Sequence, residues 1–369
     1  MAYTTIDDPS AHFHTQLYTG DGQSTQAITN DGNSDLQPDL IWTKRRDSGN
    51  SVHVADTSRG ITKQLATNNT NSEATDATIH ASVQSDGFTV GDAGSVNTNT
   101  GTYCSWQWKC NGGTTTTNDA SSTGVGNLDS VYQANTDAGF SIVTYSGAAG
   151  NNLVAHGLGV TPDLMIQKRR NNANTNDGRW VVWHKSLAAL HNQYSFLFLH
   201  ANNTRSEDTS VFGAGANTGP NSETFRIGND SLINGSGGTH VMYCFAEKQG
   251  YSKFGSYTGN NANSGPFVYL GFKPAWLLIK CAVGHTESWH MWDNKRVLLG
   301  GNPNQAAIEA DTTGTDKGSS TPYNVDFLSN GFKIREDHDV INGDGDTYVY
   351  MAFAEIPFVS SKGVPTTAI

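Results

Sequence analysis

The chain has 369 residues, 40 of them glycine, and only 36% are hydrophobic and 15% charged, against roughly 45–50% and 25% in an average globular protein. This turn-rich composition, filled out with Asn, Thr and Ser, suits an all-β protein better than a helical enzyme, while 8 Trp, 13 Tyr and 15 Phe supply enough large side chains to exclude wholesale disorder. A net charge of −11 argues against sequence-independent nucleic-acid binding, whose affinity comes mostly from phosphate neutralisation.

Residues 1–12 read as a short arm, poor in apolar side chains and lacking the basic and apolar regions of a signal peptide. No run of 18 apolar residues follows, so neither membrane insertion nor export by an uncleaved signal is expected. Beyond the arm, four signatures recur in the same order three times. Tyr18-Thr19-Gly20 returns as Tyr145-Ser146-Gly147 and Tyr257-Thr258-Gly259. Pro38-Asp39-Leu40-Ile41-Trp42-Thr43-Lys44 returns as Pro162-Asp163-Leu164-Met165-Ile166-Gln167-Lys168 and Pro274-Ala275-Trp276-Leu277-Leu278-Ile279-Lys280. Gly87-Phe88-Thr89-Val90 is matched by Thr224-Phe225-Arg226-Ile227 and Gly331-Phe332-Lys333-Ile334, and the closing stretch Thr102 to Lys109 by Thr239 to Ala246 and Thr347 to Ala354.

A period of about 110–135 residues is the size of a whole small domain. Three repeats are therefore expected, 13–110, 139–250 and 251–359, each owning a core. The Thr/Ser/Gly-rich stretch 111–138 reads as an extended, exposed linker that tethers the first repeat loosely, whereas the second and third meet directly. Residues 360–369 form a Pro-containing tail. Within the closing stretch, Cys104, Trp106 and Trp108 alternate with polar residues at the period of a half-buried strand. Leu40 to Trp42 and its counterparts are apolar on both faces, as in a central strand. Asn234-Gly235 and Asn342-Gly343 supply hairpin turns, and only short stretches such as 186–191 look helical. The expected fold is all-β: three tandem antiparallel β-sandwiches of the jelly-roll or lectin-like kind.

Cys104, Cys110, Cys244 and Cys281 form no CxxC pair and no metal-ligand spacing. Cys104 and Cys110 lie roughly 20 Å apart if they share one strand, so buried free thiols made in a reducing cytoplasm are expected. No nucleophile elbow, phosphate loop, zinc signature or dinucleotide fingerprint occurs, so no catalytic residue, metal or cofactor is expected. Asn342 to Asp346 resembles a calcium loop without its closing Glu and reads as a turn. Asp56 with Arg59 and Asp293 with Arg296 read as local ion pairs, and Lys44, Lys168 and Lys280 as solvated or salt-bridged ends of strands. The feature with most potential for binding is Trp180-x-x-Trp183, matched by Trp289-x-x-Trp292. Positions three apart on a strand face opposite sides, so one Trp of each pair could stand outside and stack a sugar ring. His285, His290 and Tyr323 beside Trp289 and Trp292 make the third repeat the expected glycan site, with Trp180 and Trp183 as its counterpart in the second.

The opening Ala2-Tyr3-Thr4-Thr5-Ile6-Asp7-Asp8-Pro9, then Asp56-Thr57-Ser58-Arg59-Gly60, Gly250-Tyr251-Ser252-Lys253-Phe254-Gly255-Ser256-Tyr257-Thr258-Gly259-Asn260, Asp293-Asn294-Lys295-Arg296 and Phe327-Leu328-Ser329-Asn330-Gly331-Phe332-Lys333-Ile334 resemble an uncharacterised three-repeat family encoded by marine tailed bacteriophages. The resemblance covers essentially the whole chain. It implies a virion structural protein of the tail fibre, spike or appendage type, with no catalytic residues to transfer. The expected partners are other virion proteins, further copies of the chain (a trimer, as in many fibres) and a host-surface saccharide, without nucleic acid or membrane insertion. The alternative is a purely architectural virion component, such as a capsid decoration or collar module, without ligand binding. Either way the expected location is the virion, after synthesis in the host cytoplasm.

Overall fold

The structure, a computed structural model, describes residues 3–171, 176–213, 219–297, 301–318 and 322–366. Residues 13–110 form strands β1 (Phe13–Thr19), β2 (Gln26–Ile28), β3 (Leu40–Arg45), β4 (His53–Asp56), β5 (Lys63–Ala66), β6 (Ala74–Thr75), β7 (His80–Val83), β8 (Phe88–Val90) and β9 (Thr102–Trp108). Residues 111–250 form β10 (Thr116–Asn118), β11 (Ser130–Asn135), β12 (Phe140–Ser146), β13 (Asn152–Ala155), β14 (Leu164–Arg169), β15 (Trp180–His184), β16 (Ser195–Phe198), β17 (Ser206–Glu207), β18 (Thr224–Ile227) and β19 (Thr239–Phe245). Residues 251–359 form β20 (Ser252–Thr258), β21 (Phe267–Tyr269), β22 (Phe272–Val283), β23 (His290–Asp293), β24 (Ile308–Glu309), β25 (Val325–Leu328), β26 (Gly331–Ile334) and β27 (Thr347–Pro357).

The fold is all-β, and its strands pair antiparallel into large and small sheets. The large sheets run β1-β9-β3-β4-β5-β6, β10-β11-β12-β19-β14-β15-β16-β17 and β20-β27-β22-β23-β24, and the small ones β2-β8-β7, β13-β18 and β21-β26-β25. The Gly-Phe signature has a steric cause: a Cβ at Gly87 would lie 2.0 Å from the Ile28 carbonyl oxygen, and at Gly331 2.0 Å from that of Val268. Where a linker was expected, 111–138 supplies β10, a helical turn at Ala120–Thr123 and β11, which pairs residue for residue with β12. The polar composition that suggested a tether is that of an added sheet edge.

The cores also differ from the expectation of one per repeat. In the closing strands β9, β19 and β27, one set of alternate residues (Cys104, Trp106, Trp108; Val241, Tyr243, Phe245; Val349, Met351, Phe353) faces a single apolar cluster fed by all three segments. The other set of β19 and β27, including Met242, Cys244, Tyr348, Tyr350 and Ala352, faces a core shared only with its own small sheet. These strands are thus buried on both faces, and polar Ser105 and Gln107, which suggested solvent, are buried as well. At the centre Trp108, Phe245 and Phe353, which occupy equivalent positions, meet in a triangle with ring centroids 5.8–6.4 Å apart. The first segment is therefore held as firmly as the other two. All four cysteines are free and buried.

Contacts between segments form a closed cycle. Tyr243 OH donates to Asp56 Oδ2 at 2.7 Å, His184 Nε2 to the Tyr350 carbonyl at 3.2 Å, and Trp106 Nε1 to Asp293 Oδ2 at 3.1 Å. Asp56, His184 and Asp293 hold equivalent places, so first meets second, second meets third, and third meets first. The expected Asp–Arg pairs are present within this frame, Arg59 on Asp56 at 2.5 Å and Arg296 on Asp293 at 2.6 Å, with both side chains of each pair fully buried.

The three shared lysines are not solvated: Lys44, Lys168 and Lys280 are completely buried. Each ammonium spans two carbonyls, one of its own segment and one of the preceding segment. Lys44 Nζ donates to Asn50 O and Thr312 O (both 2.8 Å), Lys168 Nζ to Gly178 O (2.6 Å) and Thr70 O (3.2 Å), and Lys280 Nζ to Glu287 O (2.6 Å) and Asn202 O (2.9 Å). Burial depresses their pKa values, to about 8 for Lys44 and Lys280 and about 7 for Lys168. Lys168→Met is expected to lower the unfolding free energy by about 1–3 kcal/mol, the cost of leaving buried carbonyls unpaired. Denaturant titration measures it, and a change under about 0.5 kcal/mol would show that this bridge is not a clamp.

Neither end hangs free where it is described. Ile6 and Thr4 are buried, and Tyr3 OH donates to the Gly271 carbonyl at 2.9 Å. Ser361 N–H donates to Asp7 Oδ1 at 2.6 Å, joining tail to arm. The tail folds back further through the Val359–Pro365 bridge. Residues 1–2 and 367–369 of the expected arm and tail lie outside the described residues.

Candidate functional site

The tryptophan pairs do face opposite sides of their strands, yet both sides are interiors. Trp180 and Trp289 enter the shared central cluster, while Trp183 and Trp292 enter the cores of their own sheet pairs. Each indole N–H is also satisfied internally: Trp180 on Ala66 O (2.8 Å), Trp289 on Phe198 O (2.8 Å), Trp183 on Gln193 O (3.0 Å) and Trp292 on Tyr323 O (3.0 Å). The first two of these bonds cross between segments. The expectation of an exposed indole is therefore corrected, because a two-layer unit packed around a common centre has no outer face on its large sheet at these positions.

The other expected site residues divide into separate partnerships. His290 is buried beside Trp292 and Tyr323, at ring distances of 6.0 and 5.3 Å, with Glu309 3.5 Å away. His285 stands exposed, held by Asp346 at 2.6 Å and Asp339 at 3.4 Å. The hydrogen bond to Asp346 is the main cause of its raised pKa. Among the described residues no cluster of His, Cys, Asp or Glu has the geometry to hold a metal ion.

An aromatic surface does exist, on a strand that the Trp spacing does not mark. β21 reads Phe267-Val268-Tyr269, with Val268 packed inward and the two rings each 47% exposed. Residues two apart on a strand share a face at about 7 Å spacing. β21 is an edge strand, so the two rings lie along the rim of the small sheet. Across the ladder Tyr269 faces Gly331, which has no side chain to cover it, and Phe267 faces Lys333. The Lys253 ammonium sits 5.4 Å from the Tyr269 ring centre, and the Tyr3 hydroxyl lies 3.2 Å from that of Tyr269. Lys333 Nζ holds the Gly265 carbonyl at 3.0 Å, and Arg335 pairs with Asp326 at 3.2 Å. The equivalent places carry Ala27 and Thr29 in the first segment, and Leu153 and Ala155 in the second. In the sequence, the aromatic–Val–aromatic alternation of Phe267, Val268 and Tyr269 is the signal that marks this surface.

A second feature lies where the third segment meets the first. A cavity of about 200 Å³ between them adjoins one of about 440 Å³ lined by the third segment, and the two share Asn294, Lys295 and Glu355. Lys295 and His14 both pair with Asp31 at 2.9 Å, and Lys273 pairs with Glu355 at 3.0 Å. Burial holds the His14 pKa below its ordinary value despite Asp31.

A family model described as a domain of unknown function, DUF7483, matches residues 8–357. No curated protein and no solved structure matches the chain.

Proposed function

The chain belongs to the DUF7483 family, and from that premise we propose that it is a non-catalytic virion-surface protein, of the tail fibre, spike or appendage type, that touches host-surface saccharides through Phe267 and Tyr269. The observation that carries the saccharide contact is this exposed aromatic pair. Two rings on one rigid strand, bordered by Lys253, Lys333, the Tyr3 hydroxyl and the Asp326–Arg335 pair, offer apolar faces for pyranose rings and polar groups for their hydroxyls. The position on a virion rests on the resemblance to marine phage proteins. The closed cycle of sheets supports a rigid carrier, and one weak site per chain gains strength from many copies on a particle.

Phe267→Ala and Tyr269→Ala are each expected to weaken binding on a microbial glycan array by about tenfold, taking base stacking on aromatics, about 1–3 kcal/mol, as the guide. The melting temperature should stay within a few degrees, because both rings are half exposed. Unchanged glycan binding by the folded double variant would leave the chain an architectural part.

A further inference from the structure

Cations gather on the same face as the two exposed rings. Residues directly opposite on an antiparallel ladder share a face, with Cβ atoms about 4.5–5.5 Å apart. Lys333, opposite Phe267, therefore stands beside that ring. The place opposite Tyr269 is Gly331, and its ammonium comes instead from β20 of the large sheet, where Lys253 Nζ lies 5.4 Å from the ring centre. Each ring thus has a lysine of its own, and the two lysines come from different strands.

Neither charge is offset. Lys333 Nζ donates to the Gly265 carbonyl, a neutral acceptor. Lys253 has no carboxylate within 4.0 Å among the described residues, and a ring quadrupole attracts an ammonium without cancelling its charge. By contrast, Lys185, Lys273, Lys295 and Lys317 each sit within 3.0 Å of a carboxylate. The one carboxylate in β21, β25 and β26 is Asp326, and it is already taken by Arg335 at 3.2 Å. Two positive charges are therefore left over on this face, in a chain whose net charge is −11. The fold itself does not require them. In the small sheets of the other segments, β2, β7 and β8 carry no Lys or Arg, and β13 and β18 carry Arg226 alone.

We propose that the Phe267–Tyr269 face selects acidic saccharides: neighbouring sugars stack on the two rings, and an acid group on each, a carboxylate or a sulfate ester, meets Lys333 and Lys253. This inference rests on the saccharide reading above and adds the class of sugar. Apolar ring faces hold neutral and acidic chains alike, whereas a hydrogen bond between two charged groups is about twice as strong as a neutral one. The lysines therefore supply the discrimination.

The intact protein is titrated calorimetrically with a uronic acid hexamer and a sulfated galactan hexamer, each beside the neutral hexamer made from it by reducing the carboxyls or removing the sulfate. At least one acidic hexamer should bind about tenfold tighter than its neutral counterpart at about 0.05 M salt, and the preference should shrink at about 0.5 M salt, where exposed charges are screened. The two arms distinguish carboxylate from sulfate. Lys253→Gln and Lys333→Gln should each weaken the preferred hexamer about fivefold and leave its neutral counterpart within about twofold. Lys63→Gln, the same change of charge beside Thr75 of the first segment, should alter neither. Acidic and neutral hexamers bound equally, with binding still dependent on Phe267 and Tyr269, would overturn acid selectivity and leave the saccharide reading standing. Binding of no hexamer would overturn both. An acidic preference that survives both lysine substitutions, or that Lys63→Gln reduces as much, would overturn the assigned contacts. Tighter binding of an oligothymidylate, whose bases also stack on aromatics, would give the face to single-stranded nucleic acid and overturn the proposal.

Discussion

Trp276→Ala is expected to lower the unfolding free energy by about 3–5 kcal/mol, the range for truncating a large buried aromatic. The Trp276 ring lies within 5.7–6.5 Å, centre to centre, of Phe13, Trp42, Trp106, Trp108 and Phe353. Four of these neighbours belong to the first segment, so the cavity opens at the centre of the molecule and across a junction. Among the described residues the indole N–H has no partner, so the loss is one of packing and not of a hydrogen bond. Leu40 and Leu164 hold the equivalent places in the other segments, and Trp276→Leu should therefore cost clearly less than Trp276→Ala. Because one cluster joins all three large sheets, β9, β19 and β27 should lose hydrogen-exchange protection together. A cost below about 1 kcal/mol, or three separate unfolding transitions, would contradict a shared core.

The contrast with the sequence reading is sharpest in the closing strands. Period-two alternation in Cys104 to Cys110 identifies a strand, and recurrence at Thr239 and Thr347 identifies its counterparts. Alternation cannot say what covers either face, however, and here the apolar row meets the other two segments, while Gln107 of the polar row is bonded to Asn30 of its own segment. The same gap explains the indoles: three-residue spacing separates Trp289 from Trp292 correctly, but whether a face meets water depends on contacts between segments that no local pattern records. The lysines show the effect in polar form, for Lys44, Lys168 and Lys280 end strands as exposed lysines do, while their ammonium groups are taken up by carbonyls of a neighbouring segment. The Asp–Arg pairs were legible because they are local, three residues apart in a turn. Phe267 and Tyr269 were legible in principle, since an aromatic–Val–aromatic strand must turn both rings to one side.

Acid should destabilise the protein well before its carboxylates titrate, with four buried histidines contributing about 4 kcal/mol between pH 6.5 and 5.5. His80, His156, His184 and His240 are all fully buried, and desolvation holds their pKa values down, at about 3 for His80 and His240 and about 4 for His156 and His184. Their hydrogen bonds suit neutral rings. His184 accepts from the Ser186 N–H at 3.1 Å while donating to Tyr350 O, His156 accepts from the Leu158 N–H at 3.2 Å, and His80 sits between Thr43 and Gln64 at 2.9 Å each. His240 lies against Tyr145, and Arg169, Arg170 and Lys168 further oppose its charging. The unfolded chain takes up these protons near pH 6.5 and the folded chain only near 3–4. This stability is thus fully present above pH 6.5 and is lost as pH falls toward the folded values, at roughly 1 kcal/mol per pH unit for each ring. The buried lysines, depressed to about 7–8, have bound most of their protons by pH 6.5 and add little slope below it, and carboxylates enter only below about pH 4.5. Urea midpoints at pH 7.5, 6.5 and 5.5 measure the loss, and His156→Gln should reduce the slope by roughly 1 kcal/mol per pH unit. Equal midpoints at pH 7.5 and 5.5 would mean that water reaches these rings and that the junctions around them are open.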